Sequence, residues 1–505
     1  MTEITTTSNK EHLYDVEYQI PYRLRSIHLV NQEQKSINLK ELVAGFQIYE
    51  SLHDKFLSGE VVFVDGINLP RLFRFTGQEY IRVSLSDGRE DSTIYDLTFR
   101  VSRMHKNVRS DVGVMQGYTL NIEDPSMLKG YTKRINRVLR GKQSDMLKTI
   151  LLDKEGLGLT EDDLGIWQNT ESDKNQFICP NWRINELITH FVRECDFQTN
   201  ASWRNGMFFY QTFDGKFNLK SIDEMCNTNP DDMIKLIYKP TAGGLDKADR
   251  DRKQILSMSK PKLFNSIKGT VSGLYASMSE TLETITGVVK ENVYDIEETI
   301  SRNPNHVEGS GTPIIRTEVS FAETGGDEMG FTTKDQEGDK PPEVIPVDKW
   351  KNKAPNLQKE NVIIYNSHSA HTFDNNTDVE SDEVFSPEDT IKNNAILERR
   401  ALMELMEQNT ISLVLPIRTD LTVGNVVQLV IPEPEIQDET SDSKDVIHDN
   451  KYLVVDSCIT VNNQRQTGSL HIECVKETFT NVINEEAIEE GIDKASKPYF
   501  AGLSR

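Results

Sequence analysis

The sequence predicts a β-rich α+β protein: two antiparallel β-barrel domains flanking a helix-plus-meander α+β domain, with a long polar insertion. Three observations carry that reading. Short alternating or β-branched runs separated by turn residues fill 14–123 and return in 386–480. Between them, one strongly amphipathic helix is followed by two hairpin dipeptides. A polar, acidic interval at 301–385 interrupts the second strand set. At about 150 residues per domain, 505 residues allow three or four domains.

The organising stretch is Cys179 to Ile222. Ile184, Leu187, Ile188, Phe191, Val192 and Cys195 form one apolar stripe on a 3.6-residue period, and Asn185, Glu186, Arg193 and Glu194 are expected outward. Pro180 and Asn181 are start signals. Ala201 to Trp203, Met207 to Phe213 and Lys216 to Ile222 then read as a three-stranded meander turned at Asn205-Gly206 and Asp214-Gly215. These dipeptides tolerate the positive φ angles of type I′ turns.

In chain order, residues 1–13 are a polar, flexible arm. The first barrel, 14–123, has strands at Tyr22 to Leu29, Phe46 to Leu52, Gly59 to Gly66, Tyr80 to Leu85, Tyr95 to Val101 and Gly117 to Ile122, with Leu69 to Phe73 as an irregular crossing of its end. In the α+β domain, 124–228, Ser144 is expected to cap a helix running through Leu152, with Gly156 as its stop. The second barrel takes 229–300 and 386–480. Its strands are Ile234 to Tyr238, Gln254 to Met258, Thr410 to Leu415, Asn425 to Ile431, Tyr452 to Ile459 and Gly468 to Val475, while parts of 264–300 fit strand or helix equally. Within the insertion the strong strand is Asn361 to Tyr365. Ser386 to Asp389 start a helix, 433–449 is an acidic excursion, and 481–505 is a C-terminal helix and tail.

Composition narrows the function. The net charge of −23 argues against a protein that grips nucleic acid, since phosphate binding needs clustered Lys and Arg. It is compatible with a surface past which nucleic acid slides, where repulsion prevents sticking. No apolar run approaches the roughly 18 residues that span a bilayer, and Met1 to Lys10 hold no hydrophobic signal core, so a cytoplasmic chain without membrane insertion is expected. The five cysteines, at 179, 195, 226, 458 and 474, are widely spaced, which favours buried thiols over disulfides or a metal site.

No catalytic constellation stands out: there is no Walker A, HExxH, GxSxG or Rossmann fingerprint. Gly309 to Gly311 follows no strand and precedes no helix. His368 and His371, with Asp374 nearby, have ligand chemistry but no helical frame. Glu161, Asp162 and Asp163 fit a helix start better than a metal site. Trp203, Phe208, Phe209, Tyr210, Phe213 and Phe217 alternate on strands, which favours core over a nucleotide-stacking platform. No catalytic, cofactor-binding or metal-binding residue is therefore assigned, and no enzymatic activity or cofactor is expected.

The order of strand set, helix plus meander and interrupted second barrel, with the late turn-and-strand Leu421 to Leu429, resembles the central baseplate hub protein of contractile-tailed bacteriophages, the T-even-type hub family. Phe46 to Leu52, Gly59 to Gly66 and Gly77 to Leu85 are similar to that family's first barrel, and the likeness covers roughly 16–300 and 385–480. The family's late segment has a Leu-Thr-Pro-Gly-type turn; here Val423 stands in place of the proline. The resemblance implies a homotrimer whose two barrels per chain form a quasi-six-fold ring, adapting the six-fold tail tube to a three-fold central spike. It implies spike and tail tube proteins as partners, with the tape-measure and baseplate wedge proteins as further candidates. It also implies that DNA passes through a channel without specific binding, and that the location is the virion tail baseplate, assembled in the host cytoplasm. Two similar barrels times three chains gives six similar surfaces, so trimer and hexamer meet without a large mismatch. The alternatives are a hub component of a related contractile injection or secretion apparatus and, from another class, a tail-associated polysaccharide-degrading enzyme, which needs two carboxylates about 5–10 Å apart.

Overall fold

The structure, a computed structural model, describes residues 22–66, 68–73, 75–87, 93–109, 116–170, 176–194, 206–227, 233–238, 253–259, 265–274, 276–283, 289–295, 363–368, 397–401, 403–404, 410–431 and 450–476. The N-terminal arm, Cys195, the Ala201 to Asn205 strand and turn, the Ser386 to Asp389 helix start, the 433–449 excursion and the C-terminal tail lie outside these residues. Among the described residues no helix is long and apolar enough to cross a membrane.

The first strand set forms as its alternation dictates. Antiparallel ladders join β1 (Arg23–Val30), β2 (Ser36–Asn38), β3 (Val43–Ser51), β4 (Ser58–Asp65), β5 (Tyr80–Ser86), β6 (Tyr95–Arg109) and β7 (Gln116–Glu123) in the order β3-β4-β7-β6-β5-β1-β2. Period two sends Ile27 and Leu29, Val61 and Phe63, Ile81 and Val83, and Leu120 and Ile122 into one core. Leu69–Phe73 is a single helical turn, α1, rather than an irregular crossing. The Asp65 carboxylate holds its start by accepting the Leu69 N–H at 2.7 Å.

The middle of the chain runs α2 (Pro125–Thr132), β8 (Arg134–Ile135), β9 (Val138–Arg140), α3 (Gln143–Leu152), β10 (Leu164–Trp167), β11 (Gln176–Ile178), β12 (Trp182–Arg183), α4 (Ile184–Glu194), β13 (Met207–Gln211), β14 (Phe217–Ser221) and α5 (Ile222–Cys226). The predicted stripe of α4 is buried at Ile184, Leu187, Ile188, Phe191 and Val192. At roughly 1.5–3 kcal/mol for each large apolar side chain, that burial outweighs the helix's intrinsic propensity. Asn185, expected outward, is buried instead: α4 crosses α2 at Gly130, and a Cβ there would lie 2.1 Å from Asn185 Oδ1. Ser144 does not cap α3. The helix starts two residues earlier, behind Lys142, and the buried Ser144 hydroxyl accepts the Thr170 N–H at 3.1 Å.

β13 and β14 form the predicted hairpin, but its turn is not type I′. Residues 213–215 make a three-residue loop closed by the Thr212 N–H donating to the Lys216 carbonyl, and only Gly215 has positive φ, at +83°. Phe213 is drawn inward to the core, and Asp214 Oδ1 accepts the Lys216 N–H, so the aspartate serves the loop without a positive φ. The third strand of this small sheet is β10, which runs parallel to β14.

The last part comprises β15 (Ile234–Ile237), β16 (Ser257–Met258), α6 (Ser266–Ser272), β17 (Ala276–Glu283), β18 (Val289–Asp295), β19 (Ile363–His368), β20 (Thr410–Leu415), β21 (Val426–Val430), β22 (Asn450–Asn462) and β23 (Thr467–Val475). The ambiguous 264–300 stretch thus contains a short helix followed by two strands. β17 and β18, expected in the second barrel, pair with β19 in a separate three-stranded sheet. The remaining strands continue the first set as β16-β20-β23-β22-β3, with β15 and β21 branching from β22. One 13-stranded sheet therefore holds both strand sets, and a single apolar core runs from Leu24 to Val475. A second core lies within the α+β unit, around α3, α4, Phe209 and Phe217.

Candidate functional site

The place where both strand sets and the α+β unit meet is built around β22. Its first residues pair with β21, Asn450 opposite Leu429 and Leu453 opposite Val426. Beyond a bulge between Val454 and Asp456, the same edge pairs with β3, Asp456 opposite Ser51 and Asn462 opposite Gly45. A bulge bends its strand and re-aims it, which lets one strand serve both half-sheets.

The α+β unit docks on this seam through β13, which is buried on both faces. Phe208 and Tyr210 enter the large core, while Met207 and Phe209 enter the smaller one. Gln211 adds polar ties: its amide nitrogen donates to Asp124 Oδ2 at 2.8 Å, and its oxygen accepts the Leu57 N–H at 3.0 Å. Phe56 reaches the other way and packs edge-on against Phe217 at 5.9 Å.

Thr422 to Asn425 form the third wall. Gly424 has φ +80°, the Asn425 N–H donates back to the Thr422 carbonyl, and Asn425 Oδ1 accepts the Thr422 N–H at 2.9 Å. This pattern is a type II turn, in which position 423 suits proline. Val423 keeps an N–H instead, directed at Glu50 Oε1 at 3.4 Å. Gly424 presses on Tyr210, whose hydroxyl would lie 2.6 Å from a Cβ at that position. The Tyr95 hydroxyl donates to the Thr419 carbonyl at 2.8 Å, and Arg418 is held in a two-bond fork by Asp420 at 2.8 and 2.7 Å.

Glu50 lies inside this joint, 2% exposed. Burial, reinforced by nearby Asp214, pushes its carboxyl well above the ordinary glutamate range, while the backbone N–H groups of Val423 and Phe213 pull the other way. Oε2 makes no hydrogen bond of ordinary geometry, and neither does the buried Oγ of Ser457, the residue opposite Glu50 in the β3–β22 ladder. Burial and the same carboxylates raise the Tyr95 and Tyr210 phenols.

Of the residues singled out by sequence, Phe208, Tyr210 and Phe213 reach this joint, as packing residues. Phe208, Phe209, Tyr210, Phe213 and Phe217 are all core, and Trp203 lies outside the described residues. Glu161, Asp162 and Asp163 form a 3-10 turn: Asp163 accepts the Thr160 N–H and hydroxyl, and Glu161 pairs with Lys148 at 2.8 Å. His368 ends β19, while His371, Asp374 and Gly309 to Gly311 lie outside the described residues. Among the described residues no three His, Cys, Asp or Glu side chains are placed to hold a metal. Cys179, Cys226, Cys458 and Cys474 are thiols without a disulfide, the first and last buried and the other two half-buried.

Trp182, Glu186, Thr189, His190 and Arg193 line a depression of about 600 Å³ on the outer face of α4. Glu186 already accepts the Arg183 N–H at 2.9 Å, and the His190 ring lies 4.7 Å from Phe177 and 5.3 Å from Trp182. Its lining holds one carboxylate, committed to the helix start, and so lacks the carboxylate pair of a glycosidase.

No protein family matches this sequence. No curated protein matches it either. Among solved structures, a 43 kDa tail protein of a Shewanella oneidensis prophage is similar at 8% identity and TM-score 0.47, over 90% of this chain and 99% of that one. A tail protein of Neisseria meningitidis is similar at 11% identity and TM-score 0.47, over 91% and 98%. An Escherichia coli type VI secretion component, described as structurally similar to T4 bacteriophage tail proteins, is similar at 9% identity and TM-score 0.36, over 92% and 79%.

Proposed function

We propose that this chain is a structural baseplate hub of a contractile phage tail, without catalytic activity. Three copies form a ring that joins a six-fold tail tube to a three-fold central spike and leaves a passage for DNA. The observation that supports it most is the β3–β22 seam: two strand sets from opposite ends of the chain are hydrogen-bonded into one sheet over one core. A connected pair keeps its two surfaces at a fixed angle, as an adapter needs if three chains are to present six sites in register. The sequence resemblance to the hub family gives the pair its reading, and the net charge of −23 suits a wall that DNA must pass without sticking. Spike and tube proteins are the partners, and the virion baseplate is the location. Electron microscopy of the chain, alone and with a candidate spike protein, tests this: class averages of rings with three-fold symmetry and six similar lobes in either sample support it, and compact single-chain particles in both refute it.

A further inference from the structure

Along β3, beyond the irregularity between Val43 and Gly45, the residues facing the core are Phe46, Ile48 and Glu50. A carboxyl occupies an apolar position, and three separate pieces of chain close over it. Ser457 lies opposite on β22, Val423 and Gly424 come from the type II turn, and Phe213 to Gly215 come from the β13–β14 loop. The titratable groups facing it are Asp214 from that loop, Tyr210 from β13 and Tyr95 from β6. Asp87 and Asp420 act on Tyr95 from behind, and Arg418 is committed to Asp420. An ionised Glu50 thus has only the backbone N–H groups of Val423, at 3.4 Å, and Phe213 to favour it, against an acid beside it and apolar side chains around it. A neutral carboxyl tolerates that setting, whereas a carboxylate is favoured by any opening that admits water.

We propose that Glu50 makes this joint proton-operated: when neutral it lets the 213–215 loop and the 422–425 turn close on the sheet, and when ionised it drives them off and loosens the α+β unit. The inference is independent of the hub assignment. The closed joint holds a proton that the open joint releases. Between the ordinary glutamate value of about 4.3 and the raised value in the closed joint, the opening equilibrium therefore rises about tenfold per pH unit, then levels off.

The test is hydrogen exchange of the full chain across a pH series, corrected for intrinsic exchange, on wild type and Glu50→Gln. In wild type, protection of 211–217 and 421–426 is expected to fall by up to tenfold per unit above about pH 4.3, with α4 unaffected; in Glu50→Gln both segments are expected to stay protected. An unchanged slope in the variant overturns the proposal. If the variant does not fold, the wild-type series decides: a one-proton slope confined to these two segments upholds the proposal, and a flat profile overturns it.

Discussion

Replacing Gly424 by alanine tests whether the turn at 422–425 is clamped against the α+β unit. The backbone cost is the left-handed φ of +80°, worth roughly 1–2 kcal/mol for an L-residue. The steric cost comes from Tyr210, whose hydroxyl would stand 2.6 Å and ring carbon 3.3 Å from the new methyl, with Met225 Sδ at 3.5 Å. Tyr210 is core, so its ring yields little, and overpacking of this kind costs about 1–3 kcal/mol. Gly424→Ala should therefore destabilise by roughly 2–5 kcal/mol. Gly77→Ala is the control, since Gly77 has nearly the same φ, +81°, and nothing within 4 Å of its Cβ position. It should lose only the backbone share. Tyr210→Phe removes the hydroxyl, so the double variant with Gly424→Ala should recover most of the difference. Denaturant titration of the wild type and these four variants reads this coupling. If Gly424→Ala is no worse than Gly77→Ala, or Tyr210→Phe gives no relief, the turn is not held against β13 as described.

Three further outcomes follow from the same packing. Phe209→Ala removes a ring stacked 5.7 Å from Phe217 and edge-on to Trp167 at 6.4 Å, and should cost about 3–5 kcal/mol in denaturant titration, with a change in tryptophan fluorescence. Gly130→Ala drives a methyl into Asn185 Oδ1 and should cost about 1–3 kcal/mol, with Asn185→Ala relieving part of it in the double variant. The Glu155 N–H and the Arg137 guanidinium hold the Asp153 carboxyl below its ordinary value. Its stabilisation is present above about pH 3.9 and is lost as pH falls through the depressed value, so wild type and Asp153→Asn should differ in melting temperature at pH 7 and converge in acid.

The sequence made the strands legible because alternation is local: β1, β3, β4, β5, β7, β20, β22 and β23 all fall where period two or β-branched runs place them. The α4 stripe was legible for the same reason. The seam was not, because β3 and β22 come from opposite ends of the chain and no local pattern names a strand's partner. Asn185 went inward because helix α2 crosses α4 there, and α2 itself carried a signal that was missed: Asp124 followed by Pro125 is a cap and first-turn proline of the same kind read at Ser386-Pro387. Glu50 was also within reach, since Phe46, Ile48, Glu50 and Leu52 share one strand face and a carboxylate in that row is out of place. Val423 in place of the turn proline becomes intelligible only beside Glu50, which accepts the N–H that proline lacks.

The mass of the purified chain in solution, measured by light scattering alone and with a candidate spike protein, tests the hub assignment most directly. A protein component of three times 57.6 kDa, alone or in complex with the spike, is the predicted result. A mass of one chain under every condition, with no complex formed, contradicts it.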